Sequence, residues 1–207
     1  MKYTASPKPW QPAPKLLVYD VETYATGFAD PAWVPQVVTC IAWKWLDTPG
    51  EPVSVAEVSA SVDYRDLGCP MPHLDPRAIR GMLAPFLRAY LAADAVVTYN
   101  GARFDQPVLN AMNWYVGYPP FPGALVYDLH AFGKVKGMKK GLDNVATHLG
   151  ITLEKQAMHH AAWQAAYLEP GWPTIKSRAV SDVLLTEQVY HAVKGDGWLR
   201  QPRRWKP

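Results

Sequence analysis

Asp20 and Glu22 close a run of apolar and aromatic residues, Leu16-Leu17-Val18-Tyr19, that reads as a buried central strand. Residues two apart on a strand send their side chains from the same face, so the two carboxylates are forced together. Like charges there repel unless a cation lies between them. The alternative is a strand end carrying acids into solvent, and the apolar lead-in favours the cation. Asp105 follows Phe104 near the start of a helix, where an acid also serves as a cap or first-turn charge. Asp182 stands among Ala179, Val180, Val183, Leu184 and Leu185, a helix so apolar that a lone acid is costly, with Arg178 one turn earlier as a possible ion-pair partner.

The elements that must position these acids follow from periodicity. Val37 to Trp45 is rich in β-branched and aromatic residues, and Val53 to Val62 alternates, so three strands with short connections form an antiparallel meander. Asp75-Pro76 opens a helix with apolar residues at Ile79, Met82, Leu83, Phe86, Leu87, Tyr90 and Leu91. Ala95 to Tyr99 is a strand ending in the turn signal Asn100-Gly101. A helix over about Phe104 to Tyr115, a short strand Leu125-Val126-Tyr127, and helical segments near 142–149, 155–167 and 173–193 complete the chain. This order predicts an α/β domain with a mixed five-stranded sheet flanked by helices over residues 15–195. A Pro-rich arm (1–14) precedes it and a basic tail (196–207) follows.

The 207 residues are 49% hydrophobic and 12% aromatic, enough for a packed core. Two cysteines exclude a disulfide framework, and Cys40 lies in a strand, as a buried thiol in a reducing compartment would. No apolar leader opens the chain and no run reaches membrane-spanning length, so a soluble, cytoplasmic protein without membrane contact is expected. The net charge of +3 says little. Its distribution says more: Lys134, Lys136, Lys139 and Lys140 cluster, and Arg200, Arg203, Arg204 and Lys206 interleave with Trp198 and Trp205. Basic residues mixed with aromatics suit a flexible nucleic acid strand, although solvated loops and a disordered tail give the same pattern.

Three stretches taken together, Val18-Tyr19-Asp20-Val21-Glu22-Thr23, Tyr99-Asn100-Gly101-Ala102-Arg103-Phe104-Asp105 and Ser181-Asp182-Val183, resemble the exonuclease motifs of the DEDD superfamily. That superfamily has an RNase H-like fold and includes the proofreading exonucleases of DNA polymerases and stand-alone phage exonucleases. Leu142-Asp143-Asn144-Val145-Ala146 is similar to a further segment of the family, and the resemblance runs from about Leu16 to Tyr190. It implies a 3′–5′ exonuclease acting by two divalent cations, Mg²⁺ or Mn²⁺, held by Asp20, Glu22, Asp105 and Asp182. Two such ions activate a water and stabilise the leaving oxygen. By the same resemblance Asp20 bridges both ions, and Thr23 and Asn100 meet the terminal nucleotide. Phe104 either stacks there or belongs to the core. Single-stranded DNA is the expected substrate, RNA the alternative, with a separate polymerase or replication protein as a partner.

The pattern breaks at one point. The family places a general base, His or Tyr, five or four residues before the last Asp; here those positions are Ser177 and Arg178. Ser is a poor base at neutral pH and Arg stays protonated. His159, His160 or Tyr167 supplies the base, or turnover proceeds without one, or the domain binds nucleic acid without cutting it. Arg178 can instead contact a substrate phosphate. An endonuclease with the same acids is a further alternative.

Overall fold

Strands β1 (Leu16–Tyr24), β2 (Val37–Trp45) and β3 (Ser54–Glu57) form the expected antiparallel meander. The structure is a computed structural model and describes residues 13–24, 37–46, 48, 50–58, 75–134, 141–152, 158 and 160–207. The N-terminal arm through residue 12, residues 59–62 of the third predicted strand, Lys136, Lys139, Lys140 and His159 lie outside the described residues.

Helix α1 (Pro76–Ala92) begins where predicted. Asp75 caps it by accepting from the Arg77 N–H at 2.9 Å, and Pro76 occupies a first-turn position that needs no donor. The chain then crosses to β4 (Ala95–Thr98), parallel to β1, and through α2 (Asp105–Tyr115) to β5 (Leu125–Asp128), parallel to β4. A 3₁₀ helix (Leu129–Lys134), α3 (Leu142–His148), α4 (His160–Leu168) and α5 (Pro173–Gly195) follow.

The sheet has six strands, not five, in the order β3-β2-β1-β4-β5-β6. The sixth, β6 (Arg203–Arg204), comes from the segment expected as a basic tail. It pairs antiparallel with β5, Leu125 opposite Arg204 and Val126 opposite Arg203, and the Trp205 N–H donates to the Ala124 carbonyl at 2.9 Å. Two exposed arginines carry no hydrophobic alternation, so periodicity has nothing to detect there.

The central strand β1 is covered on both faces. Tyr19 packs against Phe86 and Tyr90 of α1 at ring separations of 5.1 and 6.0 Å. Asp20 and Glu22, offset from Tyr19 by one and three residues, belong to the opposite face. There α5 lies across β1 and β2, burying Ile175, Ala179, Asp182, Thr186, Val189 and Val193 at alternating spacings of four and three. Lys44 of β2 pins that helix through a 2.7 Å ion pair with Glu187. Cys40 is a buried free thiol beside them. Among the described residues no helix is long and apolar enough to cross a membrane.

Candidate metal centre

The last strand pair between β1 and β4 is Val18 with Val97, so Asp20, Glu22 and Thr23 lie beyond the part of β1 that β4 pairs. A register shift between Glu22 and Thr23 marks a bulge against β2, a local twist that re-aims side chains at the end of a strand. The buried seam of α5 brings Asp182 to the same place. One carboxylate oxygen from each of Asp20, Glu22 and Asp182 lies within 4.8 Å of the others. Glu22 and Asp182 are buried, and Asp20 opens onto a cavity of about 310 Å³ lined also by Tyr99, Asn100, His130 and Leu142. A donor set made only of carboxylates fits a hard, oxygen-seeking divalent cation such as Mg²⁺ or Mn²⁺ rather than zinc.

Asp105 stands apart from that group of three. It opens α2, is 5% exposed, and accepts from the Val21 N–H at 3.2 Å, which ties it to the β1 backbone between Asp20 and Glu22. Burial raises its carboxyl to about 7, with Asp128 and Asp182 adding to the rise and backbone N–H donors, Val21's among them, opposing it. The unfolded chain therefore releases this proton first, near the ordinary 3.8. Stability from the protonated group is full below that value and is lost as pH rises through about 7. Thermal unfolding in chelator should show this decline, and Asp105→Asn should flatten it; a decline of equal size in the variant would assign it to other groups.

Arg178 takes the place where a family base is expected, and its guanidinium lies between two of the acids. Its Nε is 3.3 Å from Glu22 Oε1 and its Nη2 is 3.4 Å from Asp182 Oδ2. The indole of Trp163 packs against the same guanidinium, 5.0 Å from ring centre to Cζ. The pairing with Asp182 follows helix spacing; the pairing with Glu22 depends on how α5 crosses the sheet and leaves no trace in sequence.

The candidate bases divide. Tyr167 is 3% exposed, its hydroxyl is 2.9 Å from Thr39 Oγ1, and burial pushes its pKa far up, which disfavours it as a base. Tyr99 is likewise held protonated, burial raising it to about 12 with Asp143 and Asp128 adding to the rise. His160 opens α4, but its side chain lies outside the described residues, as does all of His159.

The Asn100-Gly101 turn is built as its residues require. Asn100 has φ 68°, a region Asn tolerates, and a Cβ on Gly101 would come within 2.6 Å of the Thr98 side chain. Asn100 thereby lines the acid cavity. Phe104 precedes α2 and packs against the core while half-buried, and Thr23 is half-buried beyond the bulge.

Two residues at the site escaped the sequence reading. Asp128 accepts from the N–H groups of Asn100 (2.8 Å), Ala102 (3.3 Å) and His130 (3.1 Å), holding the turn. Its signal was present: Leu125-Val126-Tyr127-Asp128 repeats the apolar run ending in an acid that marked Asp20. His130 lines the acid cavity and meets Tyr99 edge to face at 5.8 Å; a single His after a short strand gives no comparable signal.

Comparison with known families agrees with this geometry. The family model described as the RNase H superfamily matches residues 64–186, more than half of the chain, and the chain belongs to that superfamily. The matched span holds Asp105, Arg178 and Asp182 but not β1 with Asp20 and Glu22. Among solved structures, the family B DNA polymerase of the hyperthermophilic archaeon Pyrobaculum calidifontis aligns at 20% identity with a TM-score of 0.63, covering 91% of this chain and 25% of that one. An ExoI/SSB-Ct complex aligns at 16% identity and a TM-score of 0.57, covering 88% of this chain and 41% of the other. At these identities the likeness is one of fold, and the chain spans well under half of either relative. No curated protein matches the chain. The superfamily and the acid cluster together support a nuclease.

Proposed function

We propose that the chain is a metal-dependent 3′–5′ exonuclease that hydrolyses phosphodiester bonds of single-stranded DNA, using two divalent cations. The observation that carries this reading is the convergence of Asp20, Glu22 and Asp182 from β1 and α5 onto one point beside an open cavity. Bound there, Mg²⁺ or Mn²⁺ supplies Lewis acidity for the leaving oxygen and acidifies the attacking water. Asp20 and Asp182, which line the cavity, and Glu22 beside them would hold the ions. Asp105, fixed on the Val21 N–H, would support a second ion from behind β1. Thr23 and Asn100 receive the terminal nucleotide, and Phe104 backs it. The reading carries with it a cytoplasmic setting and a separate polymerase or replication protein that generates the ends.

We assign the general base to His130, which lines the cavity together with Asp20 and Asp182, ahead of His159 and His160. His130→Gln should lower the rate by about 10²–10⁴-fold and remove the acid-side limb of the pH profile. An unchanged profile would return the role to His159 or His160, tested by the same substitution at each. The occupation of the usual base positions by Ser177 and Arg178 favours a second reading, a nucleic-acid-binding module of the same fold that does not cut.

Incubation with a 5′-labelled oligonucleotide and Mn²⁺ separates these. A ladder shortening from the 3′ end supports the exonuclease, internal cuts an endonuclease, and tight binding without products the binding module. Parallel DNA and RNA strands decide the sugar, which depends on contacts to the 2′ position.

A further inference from the structure

Beside the acid cavity lies a second cleft of about 370 Å³, and His130 lines both. One wall is the turn after β4, carrying Arg103. The floor is β5 and the 3₁₀ helix, with Tyr127 and Phe132. The other wall is the chain after α5, which doubles back along β5 and presents Trp198, Arg200, Arg203 and Arg204. Two contacts hold that wall in place: Trp198 meets Phe132 at 5.5 Å, and Trp205 meets Phe121 at 6.1 Å.

The charge of this cleft is one-sided. Arg103, Arg200, Arg203 and Arg204 are all exposed, and none is paired with an acid among the described residues. Asp128 is the one acid among the described lining residues, and its oxygens already accept the N–H groups of Asn100, Ala102 and His130. Trp198 is 58% exposed, a large aromatic face left open next to guanidinium groups. Guanidinium forks match phosphate oxygens, and an open indole offers a stacking surface to any base. The volume is that of a small-ligand site and takes a strand of roughly one or two nucleotides, not a duplex.

We propose that this cleft is a strand-binding subsite: it seats the single-stranded nucleotides upstream of the scissile bond, their phosphates on Arg103, Arg200 and Arg203 and a base on Trp198. It rests on the exonuclease reading for its direction but not for the binding itself. The path from cleft to acids runs past His130, so a strand whose 3′ end lies at Asp20 leaves through the arginines. The C-terminal segment is then a working wall of the site.

The test is binding without turnover. Asp20→Asn serves as the background, and fluorescence anisotropy follows a labelled dinucleotide and a longer oligonucleotide, as deoxythymidylate and as uridylate, across a salt series. Adding Arg103→Gln, Arg200→Gln and Arg203→Gln together should weaken the longer strand by about tenfold or more and reduce the salt slope by about two, since each phosphate contact to a single strand contributes about 0.7. The dinucleotide, which fits the cleft but offers fewer phosphates, should lose less. Equal loss on both sugars supports phosphate contact, and unchanged affinity and slope on both would overturn the subsite. These arginines are exposed, so melting temperature should hold and rule out misfolding. If the protein cuts nothing yet shows this length-dependent binding, the exonuclease reading fails and the subsite stands.

Discussion

Asp182→Asn is expected to reduce cleavage by about 10³-fold or more while leaving the fold intact. The substitution keeps the shape of a side chain that is 4% exposed, so no cavity forms where α5 packs on β1. It removes one negative charge from a group of three carboxylates within 4.8 Å, the charge that α5 brings to the proposed metal site. Arg178 retains Glu22 as a partner, which spares the protein an unpaired buried cation. Asp20→Asn should act in the same way from the β1 side. Circular dichroism and thermal unfolding check the fold, and a single-turnover assay with Mn²⁺ checks the rate. Near-normal rates in both folded variants would remove these acids from the chemistry.

Arg178→Gln should have the largest effect on stability, and the size of that effect should depend on metal. The guanidinium holds Glu22 and Asp182 together across α5 and β1 in a site where the three side chains are 12%, 10% and 5% exposed. Removing one partner of a buried ion pair leaves uncompensated charge, at a cost of about 3–5 kcal/mol. For a chain of this size that is a fall in melting temperature on the order of 10 °C in chelator. A divalent cation replaces the lost positive charge, so Mg²⁺ or Mn²⁺ should raise the variant's melting temperature by more than it raises the wild type's. Equal metal shifts in the two proteins, or a loss below 1 kcal/mol in chelator, would show that Arg178 does not share these carboxylates with a metal.

Much of this site was legible because its acids break patterns that apolar elements otherwise keep. Asp20 and Glu22 end a buried strand, and Asp182 interrupts an apolar helical seam, so each is visible as a cost needing a reason. The helix start at Asp75-Pro76 and the Asn100-Gly101 turn are visible for similarly local reasons, a cap and a φ above zero. What was not legible is set by tertiary geometry. Arg178 meets Glu22 because α5 crosses β1 and β2, a fact held partly by Lys44 and Glu187, which are 143 residues apart. Asp105 reads as a first-turn acid and is one, while its reach to the Val21 N–H is a tertiary contact that local sequence does not record. The sixth strand is two arginines whose pairing with β5 is backbone hydrogen bonding, which no side-chain pattern records.

The most direct test of the metal centre is a crystal of the full chain soaked in Mn²⁺ with a mononucleotide, read by anomalous scattering at the manganese edge. Anomalous density is expected between the carboxylates of Asp20, Glu22 and Asp182, with the Arg178 guanidinium displaced from at least one of its two acids. Manganese elsewhere on the surface, with Arg178 still bridging Glu22 and Asp182 and no ion among the three acids, would contradict it.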